Sequence, residues 1–279
     1  LINGKKVKNK NIIAESYDKQ VCVPGFNVEN FDMLEAVIRG ASVAKSPVVI
    51  QTTQAALNYV GTDEMVKMFN IFQEKYNVET ILHYDHGKSY EEIKQVIEYG
   101  YASVMADLTT TSKENYLMDL DKIYNLCKKK NVKLELEIGN IPVYGQEVGY
   151  TNLDEIKKIN DMFEIDSFAV SVGSIHGCQE KKERIDFRLL ETIHNEINKP
   201  LVIHGSSGLS DTDLRILYQY GVSKVNIETE LRLVYKNALK EAINLDEIRP
   251  RVLGEYVKTK IIDYIILKYK ILRIKAGKL

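Results

Sequence analysis

Residues 200–208 read Pro-Leu-Val-Ile-His-Gly-Ser-Ser-Gly, a continuous apolar run that ends in polar and small residues. A strand without polar alternation is typical of a parallel sheet that is buried on both faces. Pro47-Val48-Val49-Ile50 has the same character. Between such runs apolar residues recur at helical spacing, as in Met65-Met68-Phe69-Phe72. The pattern predicts parallel strands joined by crossover helices.

Eight β-rich runs recur along the chain. They are Val21–Phe26, Val48–Thr52, Thr80–Tyr84, Ser103–Ala106, Val132–Ile138, Ser167–Val172, Leu201–His204 and Ser223–Ile227. Eight strand-helix units in about 250 residues favour an α/β fold of the closed (β/α)8 or TIM barrel type. Residues 1–20 and the segment from about Asp246 onward are predicted to be helical additions. A doubly wound open sheet is the alternative, but no G-x-G-x-x-G motif opens a first helix.

Composition limits the classes of function. No Pro/Gly/Ser-rich linker divides the 279 residues, so residues 1–279 are predicted to form one domain. The chain has 38 basic and 39 acidic residues, which favours neither a nucleic acid nor a membrane as partner. Its three cysteines lack a C-x-x-C pattern, which indicates a cytoplasmic protein without disulfides. Charged residues interrupt the apolar stretch Ile261–Ile274, so an amphipathic C-terminal helix is expected.

Three of the five histidines, His86, His176 and His204, lie at predicted strand ends. In a barrel the strand ends share one face, so these imidazoles should converge. Three imidazoles that leave one coordination position open suit Zn²⁺, which can act as a Lewis acid on a carbonyl group. The pattern therefore predicts a zinc site.

Other polar residues have two readings. Glu137 and Asp107 end strands 5 and 4, where they can supply further oxygen ligands, accept hydrogen bonds from the ligands, or make ordinary structural hydrogen bonds. Alternation places His83 on the same face as Asp85, and we interpret His83 as a hydrogen-bonded core histidine. His194 lies on a predicted helix and is interpreted as a solvated surface residue.

The Gly/Ser loop that follows strand 7, residues 204–208, leads into a predicted helix. Together with Asn226-Ile227-Glu228-Thr229 after strand 8, it lies where barrels commonly bind phosphate. A helix-capping turn has the same composition, so this alternative stays open.

A long loop, Gly139 to about Thr151, follows strand 5. About twelve residues without secondary structure of their own suggest a mobile lid. Glu147 would then be delivered to the site on closure. The alternative is a solvated surface glutamate.

These motifs together resemble the class II, metal-dependent ketose-bisphosphate aldolases, from about Val23 to Leu253. The resemblance rests on seven segments in order: Gly25–Asn27, Leu82–Gly87, Ser103–Asp107, Leu134–Gly139, Val172–Gly177, Leu201–Ser210 and Val225–Glu230. It implies an aldolase that reversibly cleaves fructose or tagatose 1,6-bisphosphate to dihydroxyacetone phosphate and glyceraldehyde 3-phosphate. It further implies a role in glycolysis or related carbohydrate metabolism, and a homodimer or homotetramer.

The resemblance also implies roles for individual residues. His86, His176 and His204 would bind zinc, with Glu137 at an alternate metal position and Asp107 at a second, looser one. Asp85 would be the general acid/base, Glu147 would move a proton on the ketose-derived carbon, and Asn226 would hydrogen-bond the enediolate. Predicted substrate contacts, mostly to phosphate and with Na⁺ or K⁺ nearby, are Asn27, Thr53, Gly177, Gly205, Ser206, Ser207, Glu228 and Thr229.

The chain departs from the family pattern in several places. The loop run Asn140–Val148 is longer than usual and lacks an aspartate, which weakens the assignment of Glu147. Thr53 stands where a serine is usual. Lys181 is a candidate for a phosphate contact, and Ile185-Asp186-Phe187 resembles the tagatose branch.

Three alternative functions stay open. Lys224 lies one layer below Asn226 and would serve a Schiff-base aldolase, although three strand-end histidines would then be unexplained. The altered loop motivates a catalytically idle barrel that acts as an accessory subunit. An aldolase for another phosphorylated ketose is the third alternative.

Overall fold

The computed structural model describes residues 11–143, 146–147, 149–178, 180 and 184–272. Eight strands form a closed barrel in sequence order, and every neighbouring pair is parallel. They are β1 (Val23–Asn27), β2 (Val48–Thr52), β3 (Thr80–Gly87), β4 (Ser103–Ala106), β5 (Lys133–Ile138), β6 (Ser167–Val170), β7 (Leu201–Ile203) and β8 (Val222–Ile227). The predicted (β/α)8 barrel is confirmed. β2 and β4 have the predicted bounds, whereas β3 continues three residues further.

Helices alternate with these strands. They are α1 (Ile12–Asp18), α2 (Phe31–Ala44), α3 (Gln54–Val60), α4 (Thr62–Tyr76), α5 (Tyr90–Tyr99), α6 (Lys113–Lys130), α7 (Leu153–Met162), α8 (Phe187–Ile197), α9 (Asp211–Ile216), α10 (Thr229–Ile243) and α11 (Pro250–Ile271). Several begin after a side chain that accepts a hydrogen bond from the first helical turn, as Asn30, Ser89 and Asn152 do. Such capping satisfies backbone N–H groups that the helix itself cannot pair.

The amino-terminal end of the barrel is closed by α1. Ile12 and Ile13 pack against Val23, Val49 and Ile81 in a small separate cluster. The main cluster lies between the strands and the surrounding helices. A catalytic site is therefore expected at the opposite end of the barrel, where the strands finish.

The carboxyl-terminal helix α11 packs along α2 and α10. A Cβ atom at Gly40 of α2 would lie 2.8 Å from Cβ of Ile265, so the small residue permits this close approach. The two predicted helical additions are therefore present as α1 and α11. Residues 1–10 and 273–279, which the prediction also included, lie outside the described residues. Within the described chain, no helix is both long and apolar enough to cross a bilayer.

Candidate metal and substrate site

Three histidines converge at the carboxyl-terminal end of the barrel. His86 comes from β3, His176 from the loop after β6, and His204 directly follows β7. One ring nitrogen of each lies within 4.8 Å of those of the other two. His204 is fully buried, and the other two are partly exposed. The structure thus brings together the three residues that the sequence grouped.

The orientation of His86 depends on an irregular backbone. Side chains alternate along a strand, so His83 and Asp85 point inward and His86 would point away. However, His86 has a φ of 56°, and the pairing of β3 with β4 shifts register between Tyr84 and Gly87. A bulge of this kind redirects a side chain at the end of a strand. It turns the imidazole of His86 toward the site.

Several buried polar atoms here have no hydrogen-bond partner among the described residues. They include Nε2 of His176, Nδ1 of His204 and Oε2 of Glu137. Burial and the charge of His86 lower the pKa of His176 to about 4, and burial likewise lowers the pKa of His204. Both imidazoles are thus neutral at pH 7, as a metal ligand must be. Burial lowers the pKa of His86, but the carboxylates of Asp85, Asp107 and Glu137 outweigh burial and raise it to about 9, so His86 releases a proton when it binds a metal. Since unpaired buried nitrogens are costly in a protein interior, this donor set fits a divalent cation.

A buried ion pair holds His204 from below. Nε2 of His204 lies 3.2 Å from Oε1 of Glu135 and 2.9 Å from Nδ2 of Asn226, and the other oxygen of Glu135 lies 2.7 Å from Nζ of Lys224. Because a carboxylate accepts hydrogen bonds only, Glu135 favours the tautomer of His204 that has its proton on Nε2 and the lone pair of Nδ1 free. Sequence reasoning missed Glu135, although alternation places it on the same inward face as Glu137.

His83 lies in the same buried layer. Its Nδ1 is 2.7 Å from Oγ of Ser103, and its Nε2 is 3.4 Å from Nζ of Lys224. The interpretation of His83 as a hydrogen-bonded core histidine is therefore confirmed.

Asp107 lies on the other side of His86. Nδ1 of His86 donates to Asp107 over 2.9 Å, and Lys88 and Thr109 donate to the same carboxylate. Burial raises the pKa of Glu137 to about 7, and Oε2 of Glu137 is 3.6 Å from Nδ1 of His86. His86, Asp107 and Glu137 thus form a second group with the spacing of metal ligands.

Asp85 is buried between two amides. Nδ2 of Asn27 donates to it over 2.7 Å, and Nδ2 of Asn226 over 3.4 Å. Burial raises the pKa of Asp85, but the charges of His86 and Lys224 and the Asn27 hydrogen bond outweigh burial and lower it to about 2. The carboxylate is therefore ionised at pH 7 and can accept a proton.

A cavity opens beside Asp85 and the histidines. It is lined by Asn27, Asp85, His176, Gly177, His204, Gly205, Ser206, Ser207, Asn226, Glu228 and Thr229. Gly205 has a φ of 64°, and a Cβ atom there would lie 2.6 Å from the backbone of Ile175. Oγ of Ser206 donates to the carbonyl of Asn226 over 2.5 Å, and the backbone N–H of Glu230 donates to Oγ of Ser207 over 3.2 Å. The two serines tie the Gly/Ser loop to β8 and α10.

Two of the residues predicted to act on the substrate, Thr53 and Glu147, are not among those that line this cavity. Oγ1 of Thr53 caps α3 by accepting from the backbone N–H of Ala56 over 3.4 Å. Glu147 is exposed. Lys181 lies outside the described residues.

The loop after β5 contains isolated bridges but no helix or strand among its described residues: Asn140 bridges to Gly149, and the carbonyl of Pro142 accepts from the N–H of His176 over 2.8 Å. Its role as a lid stays a prediction. One expectation was wrong: His194 is half-buried, because its ring packs 5.7 Å from that of Tyr17 of α1.

Gln51 was also missed by sequence reasoning. It is fully buried near the end of β2, and neither side-chain amide atom has a hydrogen-bond partner in the described chain. A Cβ atom at Gly25 would lie 1.7 Å from its Oε1. A polar residue within the apolar run Val48–Thr52 was the available signal.

Comparison with known proteins agrees with this geometry. Residues 7–277 match the family described as class-II fructose-bisphosphate aldolase. The chain belongs to this aldolase family. It is therefore a carbon–carbon lyase, and the resemblance seen in its motifs is confirmed.

Two named relatives of this class-II aldolase are informative. A fructose-bisphosphate aldolase from Ureaplasma parvum serovar 3 is 33% identical over 250 residues, which cover 86% of this chain and 83% of the relative. The structure of the YdjI aldolase from Escherichia coli K12 has a TM-score of 0.84 at 27% identity, covering 95% of this chain and 96% of that one.

A third comparison concerns the fold alone. The structure of a putative fructose-1,6-biphosphate aldolase from Coccidioides immitis has a TM-score of 0.86 at 22% identity, over 97% of this chain and 98% of that one.

Proposed function

We propose that this aldolase is zinc-dependent and reversibly cleaves fructose or tagatose 1,6-bisphosphate to dihydroxyacetone phosphate and glyceraldehyde 3-phosphate. The observation that carries the proposal is the convergence of His86, His176 and His204 beside the buried carboxylate of Asp85. The expected setting is glycolysis in the cytoplasm, and the expected assembly is a homodimer or homotetramer. The single-domain organisation stays a prediction.

The three histidines would hold the zinc ion, with Glu137 as an alternate ligand and Asp107 at a looser second position. When bound, zinc supplies Lewis-acid stabilisation of negative charge at the ketose carbonyl. Asp85 is ionised, and we assign to it removal of the proton from the hydroxyl group next to the bond that breaks. Asn27 and Asn226 hold the carboxylate by their amide groups.

A second proton is needed on the carbon that becomes dihydroxyacetone phosphate. We assign this proton transfer to Glu147. The backbone N–H of His176 donates to the carbonyl of Pro142, so the loop that carries Glu147 contacts one of the proposed metal ligands. Closure of this loop would bring Glu147 from solvent to the cavity.

The Gly/Ser loop and the start of α10 would bind one substrate phosphate, largely through backbone N–H groups. Gly177, Gly205, Ser206, Ser207, Glu228 and Thr229 are the proposed contacts, with Na⁺ or K⁺ nearby. Asn27 and Thr53 would contact the rest of the sugar.

A Schiff-base mechanism is disfavoured by the surroundings of Lys224. Its side chain is 1% exposed and is paired with Glu135, below the layer of the histidines. A substrate carbonyl in the cavity would have to displace both Glu135 and His204 to reach Nζ of Lys224.

The test is cleavage of the two ketose bisphosphates in an assay coupled to triose phosphate. Activity is measured before EDTA treatment, after it, and after zinc is restored. Activity that is lost and then returns with zinc supports the proposal. The sugar that is cleaved faster shows whether the enzyme prefers fructose or tagatose 1,6-bisphosphate. Activity that resists EDTA, together with an enzyme–substrate imine that borohydride traps, would move the reaction to Lys224. Zinc-loaded protein that cleaves neither sugar would indicate another ketose or an idle barrel.

A further inference from the structure

Lys268 is a buried charge on a helix outside the barrel strands. The other buried acidic and basic side chains of the described residues lie on or directly after these strands: His83, Asp85, Asp107, Glu135, Glu137, His204 and Lys224. Lys268 instead lies on α11, with 3% of its side chain exposed. Burying an ammonium group is costly unless it is paired, so its partner is informative.

That partner is Glu230, in the first turn of α10. Nζ of Lys268 forms an ion pair with its Oε2, and the hydroxyl of Tyr264 donates to the same oxygen over 2.7 Å. The ammonium also lies 5.4 Å from the centre of the Tyr264 ring. Two residues of α11 thus hold one carboxylate of α10.

Glu230 in turn contacts the Gly/Ser loop. Its backbone N–H donates to Oγ of Ser207, which lines the cavity. A continuous path therefore leads from Lys268 through Glu230 to Ser207. A shift of the Glu230 side chain would move the start of α10 and the loop together.

The charges at the start of α10 affect phosphate binding. Two carboxylates, Glu228 and Glu230, flank Thr229 at the helix start where a phosphate is proposed to bind. Uncompensated, both would repel a phosphate dianion. Arg232 lies 2.8 Å from Glu228 and is 46% exposed, whereas Lys268 is buried. Because solvent screens Arg232 more strongly, the loss of Lys268 should be felt more at the phosphate.

We propose that Lys268 is a positioning residue for the phosphate subsite: it neutralises and orients Glu230, so that the start of α10 and Ser207 can accept a substrate phosphate. This inference rests on the proposed function. It assigns to the carboxyl-terminal helix a role in substrate affinity.

The test compares the wild type with K268M, K268R and the double variant E230Q/K268M. The affinity for dihydroxyacetone phosphate is measured by calorimetry, and KM and kcat are measured for the ketose bisphosphate. For K268M we expect affinity to fall about tenfold, with most of the loss of kcat/KM in KM. K268R and E230Q/K268M should recover to within about threefold of the wild type, because charge balance is restored.

K260M is the matched control. Lys260 also joins α11 to α10, 2.8 Å from Glu241, but 42% of its side chain is exposed, away from the cavity. It should leave affinity unchanged. Equal affinity in wild type and K268M, or no recovery in the double variant, overturns the role of Lys268. If K268M does not fold, E230Q/K268M decides: affinity within about threefold of wild type supports the proposal, and a tenfold loss overturns it.

Failure of the proposed function has a different signature. A wild-type protein that binds dihydroxyacetone phosphate but cleaves neither ketose bisphosphate overturns the proposed reaction and leaves the comparison of affinities intact. A wild-type protein that binds no dihydroxyacetone phosphate overturns both.

Discussion

Asp85 combines full burial with a charge that two amides and nearby cations stabilise. The isosteric change D85N keeps the volume of the side chain but replaces the carboxylate, which can accept a proton, by an amide. We expect kcat to fall by about 10²- to 10⁴-fold, while zinc content stays equal to that of the wild type. Steady-state kinetics and metal analysis of the same sample measure both. D119N, at an exposed ion pair with Lys122, is the control. Turnover of D85N near the wild-type rate would contradict this role.

Glu135 orients His204 and balances Lys224. E135Q can still reach both neighbours, but its neutral amide no longer favours a protonated Nε2 on His204 over the other tautomer. We expect zinc affinity to fall by about 10- to 100-fold, measured by competition with a chromophoric chelator. E164Q also removes a carboxylate partner of a lysine, Lys128, but at the surface, and should leave zinc affinity unchanged. Equal affinity in E135Q and wild type would show that this hydrogen bond does not tune the site.

At the scale of helices, Glu35 of α2 joins three elements. Its carboxylate lies 2.8 Å from Nζ of Lys75 and accepts a hydrogen bond of 2.6 Å from Tyr76, both of α4, and it lies 2.7 Å from Nζ of Lys258 of α11. Burial raises the pKa of Glu35, but hydrogen bonds from Lys258, Lys75 and Tyr76 lower it to about 2. The network therefore favours the ionised carboxylate in the folded state.

The sign of the pH dependence follows from this lowered pKa. A carboxylate with a folded pKa below its unfolded value stabilises the fold above the unfolded pKa, near 4.3, and loses that contribution as pH falls toward 2. E35Q should lower the free energy of unfolding by about 1–3 kcal/mol at pH 6. The difference from wild type should shrink between about pH 4.5 and pH 2. Urea unfolding at several pH values measures it, and a difference that is independent of pH would refute the assignment.

At the scale of the whole molecule, metal binding should stabilise the fold. The site brings together imidazoles from β3, from the loop after β6 and from the residue after β7, so an ion would join elements far apart in the chain. A ligand at 1,000 times its Kd adds about 4 kcal/mol to the free energy of unfolding. Chelation should therefore lower Tm, and zinc should restore it. H176Q should lose this response, whereas H194Q should keep it. An H176Q variant with a wild-type response would place the ion elsewhere.

The barrel could be predicted from the sequence, because strands buried on both faces require continuous apolar runs, and these are visible without any knowledge of packing. The polar residues that follow the strands could be predicted in the same way. β2 and β4 have the predicted bounds, and the predicted metal ligands share one end of the barrel.

The partners of individual side chains, in contrast, depend on tertiary contacts. The left-handed backbone of His86 follows from a register shift between β3 and β4, and the pairing of Glu135 with Lys224 joins strands far apart in the chain. Thr53 caps a helix, and His194 is covered by α1. Local patterns report which face a residue occupies, whereas its partner is set by long-range contacts that periodicity does not encode.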